Sequence, residues 1–473
     1  MTLVQILVLS VLSILVAWLI PTRLRGWFIL GGSLLAVYWT QIAISIRSLD
    51  FWLPTASIAL TLLTWVATHP NGKAALAQNK ASILFVLSII LVVALSRYLG
   101  PFCCLTPTRP PQFTQIFIGL SLILAIASVV LFLPGKKTVI SGLIIFLICL
   151  FIILKSEWFA QQASEGLRTL TGQDPTLASP VDIRWLGFSY LAFRLLHVLR
   201  DSQSGRLPEF SLLEFVSYAI FFPSFPSGPI DRSQRFIQQD FRNLRKIDIA
   251  HVSEGGQRIV IGIFKKFVLA DSLALMALSA QNSTQVSTGL WSWVLLYAYG
   301  LRLYLDFSGY IDVALGLGRL LGITLPENFN KPYIKTNLTT FWNSWNITLA
   351  SWFRAYFFNP FTRSMRQSRW QFPSWLIIFI GQFSTMALIG LWHGITWNYA
   401  LWGMWHALGL FIHNRWSEWL RPRLIVDEER VHLHRLLKVG GWFITFNYVT
   451  LGWVWFALPS PAASLDYLQK LFG

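Results

Sequence analysis

The chain has 473 residues, of which 54% are hydrophobic and only 12% charged, with a net charge of +17. Soluble domains carry roughly 25% charged residues, so the composition excludes a soluble enzyme and describes a polytopic membrane protein. The basic residues fall in short stretches between apolar runs and no base-reading motif occurs, which argues against a nucleic-acid role.

The first apolar run, TLVQILVLSVLSILVAWLI, is followed by Pro21, Arg23 and Arg25. A cleaved signal peptide carries its charges before the apolar core, so the run reads as a retained first helix with its N-terminus outside. Further spans are expected near 27–46, 51–68, 82–99, 113–133, 138–154, 185–200, 257–280, 289–308, 372–392, 395–414 and 440–457. That makes about eleven or twelve helices of near-spanning length. Alternation then puts Arg23 and Arg25, Lys73 and Lys80, Lys136 and Lys137, the loop Arg232 to Lys246, the segment Arg319 to Arg369 and the stretch Arg415 to Lys438 in the cytoplasm. The uncharged loop Gln281 to Thr288 falls outside, as do Arg97 and Arg109. Cys103, Cys104 and Cys149 suggest no disulfide framework or metal site; they read as small apolar filler, with acylation of the adjacent pair as the alternative.

Two segments do not read as ordinary spans. FFPSFPSGPIDRSQRF, residues 221–236, holds Pro223, Pro226, Gly228 and Pro229, which a regular helix cannot accommodate. The other is 306–360. Irregular backbone at membrane depth survives where it is buried in protein or lines a wet cavity, so both are expected as re-entrant or interfacial pieces around a central tunnel. Inside the second lies FWNSWNITLASWFR, 341–354. At 100° per residue Phe341, Trp342, Trp345, Leu349, Trp352 and Tyr356 share one helix face, with Asn346 at its edge. Periodicity alone also fits an amphipathic helix with its Trp side chains in the headgroup layer.

His393 follows in LWHGITWN. From Pro373 to Trp405 there is no Asp, Glu, Lys, Arg or second His. An ionisable group within a span is costly and is a functional candidate; the small Gly394 beside it is expected to leave room for a substrate. His406 lies about 20 Å further on if one helix runs through, while Gly394 and Gly403 offer places to bend. No HxxxH or HExxH pattern occurs, so no metal and no bound cofactor are expected. His432 and His434 sit in a charged stretch and read as solvated.

The run DFSGYIDVALGLGRLLGITLPENFNKPY from Asp306 to Tyr333, then FWNSWNITLASWFR, then LWHGITWNYALWGMWHALG, resembles the membrane-bound O-acyltransferase family. It is similar to the bacterial branch of alginate O-acetylases and of D-alanyl transfer proteins; FPSGPIDR, Phe225 to Arg232, resembles the second group. The clearest likeness covers about 215–415 of a single domain over 1–473, with N-terminal helices in 1–200 and a last span at 440–457. The resemblance implies an all-α membrane fold and a histidine base, matched by His393. It implies a second polar position, matched by Asn346, where this branch usually has His and other branches have Asn. Ala355 replaces the acidic residue expected after Arg354. Trp342, Trp345, Arg354, Asp306, Ser308, Glu327, Asn330, Trp392 and His406 fall in the matching motifs as supporting residues.

The implied reaction is acyl transfer, acetyl by expectation, from a cytoplasmic thioester (acetyl-CoA or an acyl carrier protein) to a hydroxyl of an extracytoplasmic glycan or relay protein. His393 would take the hydroxyl proton and the Asn346 amide would position or polarise. The expected setting is the inner membrane, among lipids, with a periplasmic or extracellular partner. The alternatives are a D-alanyl-type transfer protein using an acyl carrier, a catalytically degenerate scaffold, and a transporter; the last would more often show inverted repeats, and none is visible.

Overall fold

A computed structural model describes residues 1–70, 72–133, 135–244, 246–420 and 431–473. The side chains of Lys73, Arg245, His432 and His434, and the stretch 421–430 within the expected cytoplasmic segment 415–438, lie outside the described residues. The described residues are helical, with one isolated β-bridge between Phe329 and Trp345. Five helices among them are long and apolar enough to cross a bilayer: Leu49–Thr68, Lys80–Tyr98, Phe113–Phe132, Lys136–Lys155 and Ser374–His393. Gly289–Leu320 and Trp397–Leu420 are longer, but carry ionisable and indole side chains along their length.

Cα packing divides the chain into two compact units, one of 1–260 with 311–326 and the other of 261–310 with 327–473. In the first, Phe113–Phe132 and Lys136–Lys155 have only 6% and 11% of their apolar windows buried and present their side chains to lipid, whereas Leu49–Thr68 is 72% buried. The buried helix tolerates hydroxyls because Thr55, Ser57 and Thr61 each donate to the carbonyl four residues back, at 2.8, 3.1 and 2.8 Å. Cys149 is free and exposed.

The proline-rich segment is irregular and buried in protein, as expected. Phe221 and Phe225 are fully buried, and the chain turns at 222–227 and then runs extended to the π-helical turn Arg235–Asp240. Gly228 is required because a Cβ there would approach the Ser224 Cα to 2.4 Å. The carbonyls this turn frees are gathered by Arg194 on helix Phe188–Gln203. Its Nη1 donates to Ala219 O at 2.9 Å, and its Nη2 to Ser224 O at 2.9 Å and Ser224 Oγ at 2.7 Å. Ser233 N donates to His197 Nε2 at 3.3 Å, Tyr218 Oη donates to Asp231 O at 2.8 Å, and Arg235 closes on Asp231 with its Nε at 2.6 Å.

In the second unit, helices Ser374–His393 and Trp397–Leu420 form a hairpin packed backbone to backbone. A Cβ at Gly390 would lie 2.1 Å from Tyr399 O, and one at Gly403 would lie 2.3 Å from Met386 O. Small residues allow this approach where no hydrophobic effect drives helices together. Gly403 thus packs rather than bends, because the helix runs straight through it. Helices occupy each of the remaining expected ranges, although Val431–Ala457 begins well before the expected 440, with two further corrections. The apolar run near 257–280 begins inside helix Ile249–Ile263, whose polar first turns conceal its start, and continues as a π-helical stretch, Phe264–Ala270. Residues 306–320, expected as part of a re-entrant piece, complete the long helix Gly289–Leu320. Only the part from 321 onward is irregular.

Candidate active site

The segment 341–354 is not one helix. Helix Leu338–Trp342, capped by Asn337 Oδ1 accepting from Thr340 N at 2.8 Å, ends after Trp342. The chain restarts at helix Ile347–Phe353, with Asn346 between them in the left-handed region at φ 43° and ψ 55°. Asn adopts this conformation more readily than most residues because its short amide bonds locally. The break is held from one side by the strand-like stretch 328–330. Asn330 N donates to Ser344 O at 3.0 Å and Ile347 N to Asn328 O at 3.0 Å. Asn328 Oδ1 accepts from Thr348 N at 3.0 Å and Thr348 Oγ1 at 2.7 Å. The single amphipathic helix with headgroup-level tryptophans is therefore overturned: Trp342 and Trp345 are buried at 9% and 6% exposure. The break turns them, with Asn346, toward one cavity.

That cavity has a volume of about 50 Å³ and is lined by Trp342, Trp345, Asn346, His393, Trp402 and Trp453, with Phe307, Phe456 and aliphatic side chains completing the wall. His393 is the last residue of its helix, at the turn of the hairpin, and its ring meets Phe456 at 4.8 Å, Trp402 at 5.5 Å and Tyr399 at 5.9 Å. Asn398 fixes the next helix, its Nδ2 donating to Leu458 O at 2.6 Å. Space beside Gly394, expected for a substrate, is filled instead by Tyr399, whose ring would lie 2.8 Å from a Cβ there. Asn346 Oδ1, Trp342 Nε1 and Trp402 Nε1 are buried with no hydrogen-bond partner among the described residues.

The supporting residues separate. His406 is fully buried behind the cavity wall, its ring 5.0 Å from Trp342 and 5.1 Å from Trp402. Because the hairpin breaks after His393, both histidines touch Trp402, with ring centroids at 5.5 and 5.1 Å. Neither His406 nitrogen has a hydrogen-bond partner among the described residues, and Gly452 makes room for it: a Cβ at 452 would lie 2.7 Å from Nε2. Trp392 stacks edge-on against His393 at 4.5 Å. Ser308 is buried; Asp306 pairs with Lys266; Arg354 Nη2 donates to Asn343 Oδ1 at 2.6 Å. Glu327 and Asn330 are exposed. None of Asp306, Ser308, Glu327, Asn330 and Arg354 lines the cavity. Sequence reasoning missed Asn328, Trp402, Trp453 and Phe456; Trp402 stands four residues before His406 on one helix face, which was a usable signal. Among the described residues no three His, Cys, Asp or Glu side chains gather where they could hold a metal ion.

The model of the membrane-bound O-acyltransferase family, MBOAT, matches residues 35–449. The chain belongs to that family: it is a multi-pass membrane protein and an O-acyltransferase. It is 33% identical over 288 residues to the teichoic acid D-alanyltransferase of Streptococcus thermophilus, covering 58% of this chain and 68% of that protein. It is 32% identical over 343 residues to the probable alginate O-acetylase AlgI of Pseudomonas aeruginosa, covering 72% and 61%. The peptidoglycan O-acetyltransferase of Helicobacter pylori is 31% identical over 268 residues, covering 56% and 48%.

Proposed function

We propose that this cavity moves a small acyl group, acetyl foremost, from a cytoplasmic thioester to a hydroxyl of an extracytoplasmic glycan or of a relay protein in the bacterial cell envelope. The carrying observation is that Asn346 and His393, distant in sequence, line one cavity walled largely by aromatic rings. Its small volume, about 50 Å³, supports a short acyl group over a long fatty chain.

The neutral imidazole of His393 accepts the acceptor's hydroxyl proton as the oxygen attacks the thioester carbonyl carbon. A C–O bond forms and the carbonyl becomes an oxyanion. The Asn346 amide, whose terminal oxygen has no protein partner, turns to bond the hydroxyl or the oxyanion. Collapse breaks the C–S bond, and the thiolate leaves with the proton held by His393. The aromatic wall excludes water that would hydrolyse the thioester. Acetyl-CoA or an acyl carrier protein is the donor this scheme takes, and the inner membrane is the setting in which a cytoplasmic donor and an outer acceptor meet.

A D-alanyl group from a carrier protein is the second reading, supported by the likeness to the teichoic acid D-alanyltransferase. Membranes carrying equal amounts of each protein, given labelled acetyl or D-alanyl thioesters, test both readings. His393→Gln keeps a hydrogen-bonding side chain but cannot take a proton; transfer should fall by at least about 10²-fold. Product from His393→Gln at the wild-type rate would remove the base, and no product from wild type with any thioester would favour a degenerate scaffold.

A further inference from the structure

Helix Asn359–Arg366 and the connector after it carry a basic, aromatic surface that acyl transfer does not use. The helix packs on the span Ser374–His393 through its inner side: a Cβ at Gly381 would lie 2.8 Å from Thr362 and 2.9 Å from Phe358. Arg363 and Arg366, one turn apart, are left facing outward and exposed, and so is Arg369. Among the described residues none of the three guanidinium groups has a carboxylate partner. Arg369 lies 5.3 Å over the ring of Trp370, which is itself 69% exposed; Trp375, one residue into the span, is 49% exposed.

The height of this surface follows from the helix beside it. Twenty residues rise about 30 Å, the thickness of the hydrocarbon core, so Ser374 stands at one membrane boundary. Gly381 is about 10 Å further in, and residues 367–373 lead from its neighbour back to that boundary. On this path Arg369 lies nearest the boundary and Arg363 deepest, and their long stems carry the guanidinium groups toward the headgroup layer. Exposed tryptophans at the same level are what an aromatic belt consists of. A site for the phosphates of a soluble donor would be recessed and would not expose two indoles.

We infer that Arg363, Arg366 and Arg369, framed by Trp370 and Trp375, form a binding surface for the phosphate headgroups of anionic lipids. The inference stands on these residues alone and does not depend on the chemistry at His393. The test is native mass spectrometry of the full-length protein released from nanodiscs of equal phosphatidylglycerol and phosphatidylcholine. Each Arg near the surface is worth about a fivefold preference. The wild type should retain phosphatidylglycerol in clear excess, and the triple variant Arg363→Gln, Arg366→Gln, Arg369→Gln should lose about fivefold or more of that excess. The triple Arg→Lys variant should keep most of it, which separates loss of charge from misfolding. Unchanged lipid retention in the Gln variant would overturn the inference. So would unchanged retention with a raised half-saturating concentration of thioester, which would assign the surface to the donor.

Discussion

Two regions bury polar groups in opposite ways. Around the turn 221–236, Arg194 spends its terminal nitrogens on Ala219 O, Ser224 O and Ser224 Oγ, Tyr218 bonds Asp231 O, and Asp231 is held by Arg235. Around the cavity, Asn346 Oδ1, Trp342 Nε1, Trp402 Nε1 and both nitrogens of His406 have no hydrogen-bond partner among the described residues. An unsatisfied buried polar atom costs about 1–3 kcal/mol. The first region uses its polar groups to hold an irregular backbone where no helix can form. The second leaves polar atoms without protein partners among the described residues, beside a cavity that a reacting group can enter. Stability should therefore reside in the first and activity in the second.

The sharpest way to break this division is Arg194→Leu. It strips donors from at least three buried acceptors, and at about 1–3 kcal/mol each it should lower stability by several kcal/mol. Thermal unfolding in detergent and the steady-state amount in membranes are the measures. A normal amount of inactive Arg194→Leu protein would erase the contrast. Asn346→Ala should do the opposite, cutting transfer by about 10²–10³ at unchanged abundance; wild-type rates would show that Asn346 only shapes the turn. His406→Phe is the mildest. It keeps a flat ring among Trp342, Trp402 and Trp453 and removes two unpaired nitrogens, so stability should change by less than about 1.5 kcal/mol. If transfer also falls tenfold, His406 belongs to the chemistry and the cavity extends behind Trp402.

Much of this was legible in the sequence. The hairpin Ser374–His393 and Trp397–Leu420 stands out because uninterrupted apolar runs have one reading in lipid, and His393 stands out because it is the lone imidazole in such a run. The break at Asn346 was hidden. Its tryptophans keep helical spacing across it, and no Gly or Pro marks it; the cause is the stretch 328–330, which bonds Ser344, Ile347 and Thr348 from outside the segment. The cavity wall was hidden for a similar reason, since Trp402, Trp453 and Phe456 are three aromatics among many until packing brings them around His393. The space beside Gly394 was misread because a glycine's missing side chain says nothing about which neighbour, here Tyr399, moves in.

The backbone at Asn346 narrows what evolution can try there. A side chain at φ 43° must tolerate the left-handed region, and among non-glycine residues Asn, Asp and His are the ones enriched in it. The resemblance to the bacterial branch implies His at this position. Asn and His thus form a pair of neighbouring solutions to one geometric demand, able to replace each other without rebuilding the turn, while β-branched side chains, which this backbone crowds most, are disfavoured. A saturation library at position 346 selected for transfer should return Asn and His, with Gly surviving for folding but not for activity. Recovery of Val, Ile or Thr at wild-type rates would mean that the conformation imposes no such filter.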